Sequence, residues 1–183
     1  MKKMLILALV AGAAAAAWGG ELAGVIMEDT IEVGDQTLVL NGMGLRKKAI
    51  IKVYVAGLYL TEKSSDAEAI LEADTARRTA MEFRFGVSAE KMCDAWKEGL
   101  EKNTASPSAE LKAKFDELCE LQADMGKTEM MVYTYVPGSG TEVAMKGEVK
   151  GTIEGKDFAD ALFACWIGPE PPGAAFKKGL LGQ

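Results

Sequence analysis

The chain reads as an α+β domain in which helices pack on one face of a large antiparallel sheet. Three observations predict this class. Segments of strand composition come first, a pair of amphipathic helices occupies the middle, and a meander of short strands precedes more helix. Consecutive strands joined by tight turns must run antiparallel. A sheet of that kind buries one face under helices segregated to that side. The 183 residues, 49% of them hydrophobic, suit one domain with a sizeable core.

Leu22 to Val33 mixes β-branched and acidic residues and predicts an early strand, ended by the turn Gly34-Asp35. Thr37 to Asn41 predicts a short strand, broken by Gly42-Met43-Gly44. Lys48 to Leu60 is rich in Ile, Val and Tyr and predicts a long, mostly buried strand. Gly57 inside it marks a bulge or the close approach of another backbone. Ser65-Asp66 caps a short helix through Glu72. Thr79 to Phe85 alternates, with Met81, Phe83 and Phe85 on one face and Glu82 and Arg84 on the other, as a half-buried strand does.

Ser88 opens a helix to about Asn103, with Met92, Ala95, Trp96 and Leu100 as its apolar stripe. Ser106-Pro107 caps the next helix, which carries Leu111, Phe115, Leu118 and Gln122 on one face. The two helices form an antiparallel hairpin. Glu129 to Val136, Thr141 to Met145 and Glu148 to Ile153 form the meander, turning at Pro137 to Gly140 and at Lys146-Gly147. Gly155-Lys156-Asp157 starts a helix bearing Phe158, Leu162, Phe163 and Trp166. Pro169 to Gly173 breaks it, and Ala174 to Leu181 is a short terminal helix.

The first residues have the grammar of a secretory signal. Lys2 and Lys3 form a positive start, and Met4 to Ala17 is an unbroken apolar run ending in alanines. That run is short for a membrane span, which needs roughly 20 apolar residues. Residues 1–20 are therefore expected to be a bacterial signal peptide, and the mature protein to be periplasmic or secreted. The alternative is an uncleaved N-terminal anchor. No cysteine follows the run to carry a lipid. Loss of Lys2 and Lys3 takes the net charge from −6 to −8. Such a surface repels nucleic acid and anionic lipid heads at long range, and the basic residues are scattered apart from Arg46-Lys47-Lys48 and Lys177-Lys178. No nucleic-acid partner and no stable membrane span after cleavage are expected.

The chain has no histidine, which excludes Ser-His-Asp and Cys-His catalysis and removes the commonest transition-metal ligand. A carboxylate-only metal site needs several acids converging on a cleft, whereas Asp116-Glu117 reads as a solvated helix face. No metal and no cofactor are expected. Cys93, Cys119 and Cys165 fall in no CxxC pattern and read first as small buried hydrophobes. Cys93 and Cys119 sit on the two arms of the helical hairpin, beside the apolar stripes. A bridge between them requires Cα atoms within about 7 Å. Trp96 and Trp166 read as core residues.

Arg46 stands at the mouth of an apolar strand bearing Tyr54 and Tyr59. It is either a surface cation or an anion hook, since a guanidinium is a planar fork that matches a carboxylate. The glycines before it are no phosphate loop, because no GK[ST] follows and no helix begins there.

The segments LNGMGLRKKAIIKVYVAGLYL (residues 40–60), VSAEKMCDAWKEGLEKN (87–103), YVPGSGTEV (135–143), KGTIEG (150–155) and ALFACWIG (161–168) resemble the chalcone-isomerase-like family, and its bacterial exported branch in particular. The resemblance runs from about Val33 to Gly182, so residues 21–183 are expected to be one chalcone-isomerase-like domain. It implies an open-faced β-sandwich, a large antiparallel sheet backed by a layer of helices. It also implies two characterised relatives, plant flavonoid isomerases and fatty-acid-binding proteins, in both of which an arginine after a Gly-x-Gly turn meets the ligand's anionic oxygen. Arg46 matches that arginine. Tyr54 matches a tyrosine that the fatty-acid binders carry on the next strand, where the isomerases have threonine. The isomerase tyrosine and asparagine on the following helix correspond to Lys91 and Glu98, and a late threonine to Cys165, so that polar network is absent as a set.

The resemblance thus implies a ligand-binding protein holding a fatty acid or similar apolar carboxylate at Arg46 and Tyr54. Tyr59, Met81, Phe83, Phe85, Lys91, Met92, Trp96, Glu98, Phe163 and Cys165 are the expected lining of the cleft. No confident catalytic residue emerges. One alternative is an isomerase or lyase with Arg46 as electrophile and Tyr54 or Tyr59 assisting. Another is a structural or interaction domain whose cleft is closed.

Overall fold

The structure, a computed structural model, describes residues 19–183. The apolar run read as a signal therefore lies outside the described residues. The chain begins with a small hairpin of β1 (Glu21–Leu22) and β2 (Val25–Ile26), turned by Ala23 and Gly24 at positive φ. There follow β3 (Thr30–Val33), β4 (Gln36–Lys48), β5 (Ile51–Leu60), α1 (Ala67–Glu72) and β6 (Arg77–Phe83). A helical hairpin comes next, α2 (Ala89–Asn103) and α3 (Ala109–Leu121). The meander β7 (Met130–Val136), β8 (Gly140–Met145) and β9 (Glu148–Ile153) leads into α4 (Lys156–Ile167) and α5 (Ala174–Leu180). Strands β3 to β9 form one seven-stranded sheet in chain order, antiparallel throughout.

Side-chain alternation divides the sheet into two faces. Leu58, Met81, Phe83, Met131, Tyr133 and Val143 meet the helices, chiefly α4, which is buried nearly all round. Leu38, Leu40, Val55, Tyr59 and Ala80 lie on the other face, under Val25 and Met27 of the N-terminal segment. This is the open-faced sandwich expected from the sequence.

Several boundaries differ from the sequence reading, each for a local reason. Gly42 and Gly44 do not break a strand, because β4 runs through them without a turn. They are small because α5 lies against them. A β-carbon on Gly42 would stand 2.1 Å from the Gly179 carbonyl oxygen, and one on Gly44 would stand 2.6 Å from that of Phe176. Gly179 is constrained in return by the Met43 carbonyl, 2.3 Å from where its β-carbon would be. The segment Lys48 to Leu60 is not one strand. A tight turn at Ala49-Ile50 separates β4 from β5, with Ala49 at φ 53, and neither residue carries the Asn-Gly or Asp-Gly signal of such turns.

Gly57 sits in no bulge; it makes room for the Met27 sulfur, and the bulges fall at Asn41 on β4 and at Val53 on β5. Ser108, not Ser106, caps α3, its hydroxyl accepting from Leu111 N at 3.1 Å. β6 begins earlier than expected, at Arg77, and ends at Phe83, so Phe85 leaves the strand for solvent.

Two polar anchors escaped the sequence reading. Asn41, in the β4 bulge, donates to Ser64 O at 2.9 Å and Leu180 O at 2.8 Å and accepts from Ser64 N at 2.8 Å. Arg77 is wholly buried. Its Nη1 donates to the Ile70 carbonyl at 2.8 Å and reaches those of Leu71 and Ala73, while Nη2 pairs with Asp160 of α4. Its guanidinium carbon lies 5.0 Å from the Tyr135 ring centroid and 4.9 Å from that of Phe163. The charge is thus matched by a carboxylate, a helix C-terminus and two π faces, as an interior cation requires.

Cys93 of α2 and Cys119 of α3 form a disulfide, with Cα atoms 5.0 Å apart, and Cys165 is free and buried. The bridge closes 26 residues of chain, so its reduction should cost about 3 kcal/mol of unfolding free energy, read from urea melts with and without reductant. Gly44→Ala should destabilise by about 1–3 kcal/mol in the same assay, because backbone atoms of α5 must move to admit the methyl group.

Candidate functional site

Strand pairing sets Arg46 of β4 directly opposite Tyr54 of β5, and both side chains project to the helical face. Arg46 Nη1 donates to the Pro172 carbonyl at 2.8 Å, in the link between α4 and α5, and to its neighbour Lys47 O. Among the described residues it joins no ion pair. Glu98, the internal carboxylate that stood as a possible partner, is exposed and bonds Lys102 at 2.5 Å. Lys102 lowers the Glu98 pKa most, and the fields of Lys48 and Arg46 add little. Arg46 is therefore a half-buried cation held by two carbonyl oxygens and no anion.

Tyr54 is buried against Phe83 and Phe176, with ring centroids 5.7 and 5.8 Å away. Burial pushes its hydroxyl pKa far up, against opposing pulls from the Arg46 charge and the Trp166 indole. At neutral pH the hydroxyl stays protonated and is available as a donor. Tyr133 of β7 lies deeper, its pKa also raised by burial, with Gln122 and Trp96 opposing. Its hydroxyl approaches the Met131 sulfur at 3.0 Å. Trp96 of α2 and Trp166 of α4 pack edge to face 5.2 Å apart, and each meets the Tyr133 ring at 5.6 Å.

The indole N–H of each tryptophan is buried, that of Trp166 near the Tyr54 hydroxyl and that of Trp96 near the Tyr133 hydroxyl, and neither makes a well-formed hydrogen bond. An unpaired buried donor costs about 1–3 kcal/mol, so two side by side call for an explanation. Cys165 completes the cluster. Burial lifts its thiol to about 12, and it donates to Ala161 O at 3.3 Å. A β-carbon on Gly99 of α2 would come within 2.7 Å of its sulfur, so α2 and α4 are nearly in backbone contact there.

The structure thus brings Arg46, Tyr54, Met81, Phe83, Met92, Trp96, Phe163 and Cys165 to the interface of sheet and helices. It does not bring the rest. Tyr59 lies on the opposite face, because it is an odd number of residues from Tyr54 along a regular strand; its hydroxyl donates to Glu28 O at 3.1 Å, and burial raises its pKa to about 12. Phe85, Lys91 and Glu98 are exposed. Tyr133, Pro172 and Phe176 were missed. The alternation Met131-Tyr133-Tyr135 could have placed Tyr133, but only the fold of α5 over β4 could place the other two.

Between Arg46 and the tryptophans these rings pack closely on one another. Two adjoining concavities of about 740 and 660 Å³ open instead beside α1, lined by residues such as Leu71, Asn103, Ile167 and Lys177, and by Pro171 and Leu181. Neither is lined by Arg46 or Tyr54. Among the described residues no group of acids and cysteines is placed to hold a metal ion, and no helix is long and apolar enough to cross a membrane. Chemically, the site offers a cation and neutral donors around an apolar interior, which suits an anionic head on an apolar body. It offers no base poised at neutral pH.

No curated protein matches this chain in sequence. A crystal structure of a fatty-acid binding protein from Arabidopsis thaliana is similar in fold, with a TM-score of 0.69 at 20% identity, over 86% of this chain and 92% of that one. The family model described as chalcone isomerase-like matches residues 19–182, nearly every residue of the sheet and helices described above. With the open-faced sandwich and that match over almost its whole described length, the chain belongs to the chalcone-isomerase-like family.

Proposed function

We propose that the protein binds an apolar carboxylate, a long-chain fatty acid being the simplest example, between the sheet and the helices. The observation that carries this reading is the set of poorly matched polar groups on one face: Arg46 without an anion, and the Trp96 and Trp166 N–H groups with no well-formed hydrogen bond. A carboxylate would supply the missing acceptors beside the Tyr54 hydroxyl. The name of the Arabidopsis structure, a fatty-acid binding protein, supports the same class of ligand. Because the rings between Arg46 and the tryptophans pack closely, uptake requires the link at 169–173 to release Arg46 from Pro172, with α5 and Phe176 moving from Tyr54. That close packing is also the one feature that favours a second reading, an interaction domain whose cleft stays closed.

Export belongs to the same proposal. A disulfide between Cys93 and Cys119 is the chemistry of an oxidising compartment, which supports the periplasm or the exterior. Gly20 accepts from Met27 N at 3.0 Å and packs on Met43, which favours cleavage before Gly19 rather than after Gly20. The intact mass of protein from the periplasm should then show a chain starting at or shortly before Gly19. Full-length protein confined to the cytosol would defeat this part.

Titration with a long-chain fatty acid, followed by calorimetry and by tryptophan fluorescence, tests the binding. Arg46→Ala should leave the fold intact and weaken binding by about 1.5–3 kcal/mol, the scale of a hydrogen bond to a charged group. Tyr54→Phe should lose about 0.5–1.5 kcal/mol, because one neutral donor goes and the ring stays. Wild-type protein that takes up no fatty acid, with Arg46→Ala merely lowering the melting temperature, would favour the closed domain.

A further inference from the structure

We infer that the end of the sheet carrying the β4–β5 turn docks onto an anionic phospholipid bilayer. Among the described residues five large hydrophobic side chains are exposed, and four of them lie at this one end. Ile50, at the tip of the turn, is 95% exposed, and Ile51 beside it is 42% exposed. Phe85 is 53% exposed; its N–H and that of Arg84 both donate to Val53 O, which holds it next to Lys52. Val149 is 60% exposed at the start of β9, which an antiparallel sheet in chain order brings to the same end as the start of β5. Val149 lies four strands away across the sheet, but Ile50, Ile51 and Phe85 gather at the projecting turn, and while singly exposed hydrophobic residues are ordinary, such a group is not.

The charges at this end are equally uneven. Residues 45–60 contain Arg46, Lys47, Lys48 and Lys52 and no acid. Lys47, Lys48 and Lys52 are exposed and join no ion pair among the described residues. Several nearby acids are engaged, Glu82 with Arg84, Glu129 with Lys146, Glu148 with Lys150, and Asp124 with the Ala89 N–H at the start of α2, while Glu90 and Asp94 of α2 join no ion pair among the described residues. Isoleucines framed by unpaired lysines are the pattern of a surface that sinks its apolar tip among acyl chains while its cations meet phosphates.

The shape also selects a bilayer over a protein partner. A convex tip with almost all of one isoleucine in water offers no groove for a side chain, but it enters a fluid surface readily. The whole-chain charge, −8 without Lys2 and Lys3, argues against this only at long range. At physiological salt charges are screened beyond about 8 Å, so the lysines at the contact decide. The inference does not rest on the fatty-acid reading, although Arg46 lies on the same hairpin and would come near the headgroups.

Flotation with vesicles tests it, using the protein as a bacterial host exports it. Wild type should float with vesicles of equal parts phosphatidylglycerol and phosphatidylcholine, float little with phosphatidylcholine alone, and dissociate as salt rises. Ile50→Ser should lower the partition coefficient roughly tenfold. Lys47→Glu with Lys48→Glu should lower it at least as much, at about fivefold per lysine charge lost. Lys112→Glu, a single charge reversal on the exposed face of α3, should change it little. All these positions are exposed, so thermal melts should match wild type; should Ile50→Ser melt early, the paired lysine variants carry the test. Wild type that stays with the soluble fraction, or floats equally well as Ile50→Ser and as the paired lysine variants, overturns the proposal. So does self-association abolished by Ile50→Ser without any flotation. Either failure leaves the fatty-acid titration unaffected.

Discussion

The contact on which the site depends is the near-touching of two backbones, α5 and β4. Gly42, Gly44 and Gly179 allow it, and any β-carbon at these positions would fall on a carbonyl of the other element. Three consequences follow from that approach. Asn41 can reach Leu180 O and tie the end of α5 to the sheet. Phe176 comes edge-on to Tyr54. The link before α5 is drawn over Arg46, so that Pro172 O accepts from it. Polar and aromatic contacts that look separate in the sequence are thus products of one steric allowance.

Arg77 and Arg46 show how the same side chain takes opposite parts in one sheet. Arg77 is fully buried, and its charge is answered by Asp160, by carbonyls at the end of α1 and by two aromatic faces, although its Nε has no partner among the described residues. Removing any one partner would strand a buried charge, which makes this arginine structural. Arg46 is only half buried and is met by two carbonyl dipoles. A carbonyl offsets part of a cation's lost hydration but not its charge. An anion would therefore gain at Arg46 what it could not gain at Arg77.

The interior beyond Arg46 departs from an ordinary apolar core. It contains two tyrosine hydroxyls, a thiol and two indole N–H groups, and the indoles make no well-formed hydrogen bond. Burial shifts every titratable member of the set toward its neutral form. A group of neutral donors in a low-dielectric space binds an anionic head without the cost of burying a second cation, and does so with little dependence on pH near neutrality. Such an interior is poor ground for proton transfer, for the same reason.

By itself the sequence determined the class of fold, the order of its elements and which face of most strands is buried, because these depend on local periodicity. The alternation of Met81 and Phe83 and the stripe Met92-Trp96-Leu100 were legible in this way. So was the pairing of Arg46 with Tyr54, although as an implication of the family resemblance and not of spacing. Tertiary structure alone decided what the glycines are for. Gly42 and Gly44 read as strand breakers, since the backbone they admit lies 137 and 132 residues further on, at Gly179 and Phe176. It decided also that Tyr59 faces away from Tyr54, once β5 proved to be regular through Gly57. The turn at Ala49-Ile50 was invisible because neither residue favours positive φ; pairing of the flanking strands imposes it. Local signals record what a residue prefers, and at these positions long-range contacts outweigh the preference.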